Sequence, residues 1–153
     1  MYLSRNVDGV LEHWFRDPAR KPLVLRGARQ TGKSTSVREL GKLATVLVEI
    51  NLDRIEDQRL VRTSGSLSEF LDAICLRENL AALPEGTLLF IDEIQQEPRI
   101  IPWLRYLYED HPGIAVVAAG SLLEVRMTDR GFSFPVGRVT FRTLGPMTFL
   151  EFL

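Results

Sequence analysis

Gly27-Ala28-Arg29-Gln30-Thr31-Gly32-Lys33-Ser34 fits the pattern G-x-x-x-x-G-K-[ST] at every fixed position. Before it stands an apolar run, Leu23-Val24-Leu25, that reads as a short buried strand. After it, Lys33 to Leu43 reads as a helix. These are the flanks that let a glycine-rich loop wrap a phosphate chain, because successive backbone N–H groups and the positive end of the helix dipole then face the anion. Gly27, Ala28, Arg29, Gln30, Thr31, Gly32, Lys33, Ser34 and Thr35 are therefore the candidate phosphate-binding residues. The motif sets Lys33 against the terminal phosphates and the Ser34 hydroxyl on Mg²⁺.

Outward from this loop, helix and strand signals alternate almost from end to end, the pattern of an α/β domain with a parallel sheet. A lead-in helix is expected over about 6–16, closed by Asp17-Pro18. Thr45 to Asn51 is rich in β-branched residues and reads as the second strand. Ser66-Leu67-Ser68-Glu69 is a capping box opening a helix to about Ala82. Leu88-Leu89-Phe90-Ile91 is the third strand, Ile114 to Ala119 the fourth and Val136 to Thr143 the fifth. Between the third and fourth, a helix carries Trp103, Leu104, Leu107 and Tyr108 at helical spacing.

The third strand ends in two adjacent carboxylates, Asp92 and Glu93. A strand end beside a phosphate loop is where a carboxylate can hold Mg²⁺ and its neighbour can polarise an attacking water. Asp92, with Ser34, is the candidate metal-holding residue, and Glu93 the candidate general base. The fourth strand ends in Ala119-Gly120-Ser121, where a hydroxyl can reach the γ phosphate or the water. Ser121-Leu122-Leu123-Glu124 also forms a capping box, so the two roles stand side by side.

In combination these stretches resemble the AAA-like branch of P-loop ATPases, which has an extra strand between the phosphate-loop strand and the Asp-Glu strand. More narrowly, the chain is similar to the prokaryotic ATP-binding family whose AAA domain is joined to a C-terminal domain of unknown function. Arg26 to Ser34, Leu89 to Gln95, Ala118 to Ser121, Pro135 to Arg138 and Leu144 to Phe152 carry the likeness. It implies a P-loop NTPase three-layer sandwich with a central five-stranded parallel sheet, Mg²⁺-dependent ATP hydrolysis, and motion of later domains driven by it. The family's Gly-Arg motif falls on Gly137-Arg138, which makes Arg138 a candidate for contacting phosphate in the same or a neighbouring subunit.

At 153 residues the chain is about one domain, with a core about 22–144. The composition, 45% hydrophobic and 25% charged, needs neither disorder nor a membrane. No apolar run approaches a membrane span and the first residues lack a secretory layout, so the cytoplasm is expected. A net charge of −1 gives no overall attraction to nucleic acid. Cys75 stands alone, and His13 and His111 have no partners at ligand spacing. Thr148 and Glu151 form a second capping box, announcing a helix over 148–153 that stops within its first turn. An N-terminal piece of a longer protein is expected, with any nucleic-acid or protein partner reached through later domains. Self-association through the apolar end is a further expectation. The competing reading is a nucleotide-dependent switch or binding module with little turnover; retention of Glu93 favours the enzyme. A GTPase is disfavoured because no Asn-Lys-x-Asp motif occurs.

Overall fold

Side-chain alternation along the central strands sets the architecture. In the computed structural model, which describes residues 2–121, 131 and 133–152, β1 (Leu23–Arg26), β3 (Thr87–Asp92) and β4 (Ile114–Gly120) are buried on both faces. Leu23, Leu25, Leu88, Phe90, Ala115, Val117 and Ala119 point into one core. Val24, Leu89, Ile91, Val116 and Ala118 point into the other. Residues two apart share a face of a strand, so near-continuous apolar runs require a helical layer on each side.

The first layer is α1 (Asn6–Arg16) and α2 (Lys33–Gly41), which contribute Leu11, Val37 and Leu40. The second is α3 (Ile55–Thr63), α4 (Leu67–Arg77) and α5 (Trp103–Asp110), with Val61, Phe70, Ile74, Leu104 and Leu107 inward. With β2 (Val46–Asn51) and β5 (Thr140–Thr143), the sheet order is β2-β3-β4-β1-β5 and every pairing is parallel. This is the expected five-stranded sheet, with β4 as the extra strand between β1 and β3. Of the helix announced near the end, α6 spans Phe149–Phe152.

Two local expectations need correction, and one helix was not expected. The helix begun at Ser66 ends at Arg77 rather than Ala82, because Asn79 turns left-handed at φ 57°. Leu80 N–H then bonds back to Cys75 C=O at 2.8 Å and Asn79 N–H to Leu76 C=O at 3.3 Å, a Schellman closure. The fifth strand begins at Thr140, not Val136, because residues 135–138 close a turn through Arg138 N–H to Pro135 C=O at 3.1 Å. Helix α3 has no counterpart in the sequence reading. It starts at Arg54 without a side-chain cap and buries little besides Val61 and Asp57. Tertiary contacts hold it: Asp57 accepts from Asn51 N–H at 2.8 Å and pairs with Arg77 at 2.9 Å. Of the cap read from Ser121 to Glu124, all but Ser121 lies outside the described residues.

Phe70 is fully buried, with its ring 5.3 Å from that of Trp103. Phe70→Ala is expected to lower unfolding free energy by about 3–5 kcal/mol, read from urea denaturation. A loss below ~1 kcal/mol would mean that the α4–α5 layer is not packed as described.

Candidate functional site

The candidate phosphate loop runs from the end of β1, whose neighbours are β4 and β5. Gly27 has no room for a side chain, since a Cβ there would stand 2.4 Å from the Leu144 carbonyl just after β5. Gly32 begins α2 with φ 82°, a conformation an L side chain rarely adopts. Between them the loop is closed by its own side chains. The Thr31 hydroxyl donates to Ala28 C=O at 2.9 Å, and Lys33 Nζ donates to the carbonyls of Gly27 at 2.8 Å and Ala28 at 2.7 Å.

Lys33 is 6% exposed. Burial lowers its pKa from the usual lysine value, and the nearby charges of Glu93 and Asp92 act against that shift. The loop thus contains a desolvated ammonium facing two carboxylates. Ser34 Oγ donates to Asp92 Oδ2 at 2.6 Å, while Glu93 N–H donates to Asp92 Oδ1 at 2.9 Å. Asp92 is buried and Glu93 half-buried, with Glu93 in a left-handed conformation at φ 55°. For a non-glycine residue this is uncommon and costs about 1–3 kcal/mol. It turns the chain out of β3 into the short helical turn 94–96, where Gln95 Nε2 donates to Glu93 Oε2.

A cleft of about 360 Å³ is lined by residues 29–35, Asp53 and Glu93. Asp53, in the turn after β2, was not singled out from the sequence, because a lone aspartate after a strand carries no pattern. A second cleft of about 420 Å³ beside the loop is walled by Tyr2, Leu3, Arg5, Met147 and the start of α2, with Gln30, Thr31, Gly32 and Thr35 common to both. Tyr2 Oη donates to Asp8 Oδ1 at 2.6 Å, and burial beside that carboxylate pushes the phenol up to about 12. A larger cleft, about 530 Å³, lies between α1 and the starts of β1 and β5, away from every phosphate-loop residue.

Ser121 is buried directly after β4, whose Gly120 pairs with Arg26, so the structure brings it beside the loop. Arg138 is not brought there. It precedes β5 and donates to Glu109 of α5 at 2.9 Å, at the end of the sheet opposite the loop. The reading in which Arg138 reaches phosphate within its own subunit is therefore corrected: parallel strands carry it in at the wrong end.

A family model described as an AAA domain matches residues 19–153. The chain belongs to that family. A solved structure of PCH-2 from C. elegans superposes with a TM-score of 0.57 at 14% identity. The match covers 93% of this chain and 42% of that one, so the chain spans under half of that protein's length and the likeness is one of fold. No curated protein matches the chain. Family and fold together make this a nucleotide-binding domain of AAA-like P-loop ATPase type. No helix among the described residues is long and apolar enough to cross a membrane.

Proposed function

We propose that this domain binds ATP with Mg²⁺ and hydrolyses it. The observation that carries the reading is the convergence of a buried Lys33, Ser34 and Glu93 on one cleft beside the loop, with Asp92 hydrogen-bonded to Ser34 behind it. The triphosphate would lie along the N–H groups of residues 27–35, and Lys33 would exchange its bonds to loop carbonyls for the β and γ phosphate oxygens. Mg²⁺ suits the donor set, since it favours hard oxygen ligands and is often held by one or two protein oxygens together with phosphates. Bound there, it would neutralise charge on the phosphates. Ser34 Oγ and Asp92 Oδ2 are the atoms that would hold it. Glu93 would take the proton of the attacking water, and Ser121 would orient that water or the γ phosphate.

The second cleft, walled by Tyr2, Leu3 and Met147, is the place for the base and sugar. Its apolar walls suit a planar ring. Coupling to later domains and a cytoplasmic setting belong to the same proposal. A neighbouring copy is the remaining route by which Arg138 would meet phosphate, and the exposed Phe149, Leu150 and Phe152 offer apolar surface for association. Sedimentation with Mg²⁺ and ATP is expected to show assembly that grows with concentration. A monomer throughout would remove Arg138 from the site.

Lys33→Ala is expected to abolish ATP binding by calorimetry, because it removes the buried ammonium that would meet the β and γ phosphates. Undiminished affinity would sink the assignment of the loop. Glu93→Gln keeps the shape of the carboxylate but cannot accept the proton, so ATP should still bind while phosphate release falls by about two to four orders of magnitude. Normal turnover in Glu93→Gln alongside loss in Asp92→Asn would move the base elsewhere. If the wild type itself binds ATP tightly and releases no phosphate, the domain is a nucleotide-dependent switch.

A further inference from the structure

Arg5 precedes the first helix, yet it is 7% exposed and reaches two distant segments. Nη1 donates to the Thr31 carbonyl of the phosphate loop, Nη2 donates to the Gly145 carbonyl at 2.8 Å, and Nε lies 3.9 Å from Glu151 Oε1. The Glu151 carboxylate also accepts from Asn6 N–H at 2.8 Å and from Thr148 N–H at 2.7 Å. One carboxylate thus caps the first turns of α1 and α6 while facing the arginine that grips the loop.

The contact with Thr31 bears on how the loop presents its donors. In a trans peptide the carbonyl and the next N–H point to opposite sides. With Thr31 C=O turned to Arg5, Gly32 N–H is directed away from it. Arg5 lines the cleft walled by Tyr2, Leu3 and Met147 and is absent from the one that holds Lys33 and Glu93. A Cβ on Gly32 would stand 3.0 Å from Arg5 Nη1, so the guanidinium rests directly on this turn.

We propose that Arg5 is a positioning residue that sets the Thr31–Gly32 peptide of the phosphate loop, and that through Glu151 it couples nucleotide binding to the docking of segment 145–152. The inference rests on the nucleotide-binding reading above. Coupling of this kind is reciprocal, so bound nucleotide steadies the segment as much as the docked segment favours nucleotide. The segment leaves β5 directly, which makes it the route by which the loop's state reaches any chain beyond it.

The test uses Arg5→Gln, Arg5→Lys and Glu151→Gln in the purified protein, with ATP and ADP affinity measured in Mg²⁺ and amide exchange followed at residues 145–152. Arg5→Gln is expected to weaken both nucleotides about ten- to a hundredfold, the worth of a charged hydrogen bond, and to abolish the nucleotide-dependent protection of 145–152. Arg5→Lys should restore part of both. Glu151→Gln should weaken binding less, and add nothing once Arg5 is replaced. Wild-type affinity in Arg5→Gln, or protection that survives it, overturns the proposal. Lys33→Ala run in parallel separates the two claims: if it loses binding while Arg5→Gln does not, the nucleotide site stands and the coupling falls. If neither loses binding, the nucleotide reading falls as well. Should Arg5→Gln fail to fold, Arg5→Lys and Glu151→Gln decide: nucleotide-dependent protection unchanged in both overturns the proposal.

Discussion

A tight glycine-rich turn leaves backbone carbonyls without helix or sheet partners, and buried carbonyls need donors. In residues 27–34 those donors are supplied from four directions. Lys33 serves Gly27 and Ala28, the Thr31 hydroxyl also serves Ala28, Arg5 serves Thr31, and Ser36 N–H serves Gly32 at 3.0 Å. Most of the surrounding structure follows from meeting this requirement. Helix α2 begins where it does because Gly32 hands its carbonyl to the first helical turn. The chain before α1 is pinned because Arg5 belongs to the loop. The segment after β5 lies against Gly27 because nothing but hydrogen separates the two backbones.

Electrostatics reinforce the same arrangement. Lys33, Asp92 and Glu93 form a partly buried group in which the ammonium is disfavoured by burial and favoured by both carboxylates. Such a group costs stability unless each charge has a partner. Here the partners are the loop carbonyls, the Ser34 hydroxyl and the Gln95 amide. The left-handed backbone at Glu93 is held by the same neighbours, a local cost met by the packing of Ile94 beneath it. Strain and buried charge at one strand end are common where side chains are arranged for chemistry rather than for stability.

Much of this was legible in one dimension. The glycine spacing and the Asp92-Glu93 pair are patterns, and the apolar runs of β1, β3 and β4 are long enough to require burial on both faces. The Ser66 cap was readable because its bond to Glu69 N–H spans three residues. Helix α3 was not, since its capping residue is an arginine and its stability comes from Asp57 meeting Arg77 across two elements. The same-subunit role read for Arg138 failed for a related reason, since its motif said nothing of the partner Glu109 that it meets on another element. A motif gives a residue's identity and its distance along the chain, whereas its place relative to the loop follows from β5 running parallel to β1, with Thr140 opposite Leu23.

The sequence by itself determined the α/β class, the glycine-rich loop after β1 and the strand-end carboxylates, because each depends on residues close together along the chain. Tertiary structure alone decided that β4 lies between β1 and β3, that Asp53 shares the cleft with Glu93, and that Arg5 grips the loop beside Glu151. These contacts join residues up to 146 positions apart, as Arg5 and Glu151 are. No local periodicity encodes such a pairing; it exists only once the sheet has brought the two ends of the chain to the same turn.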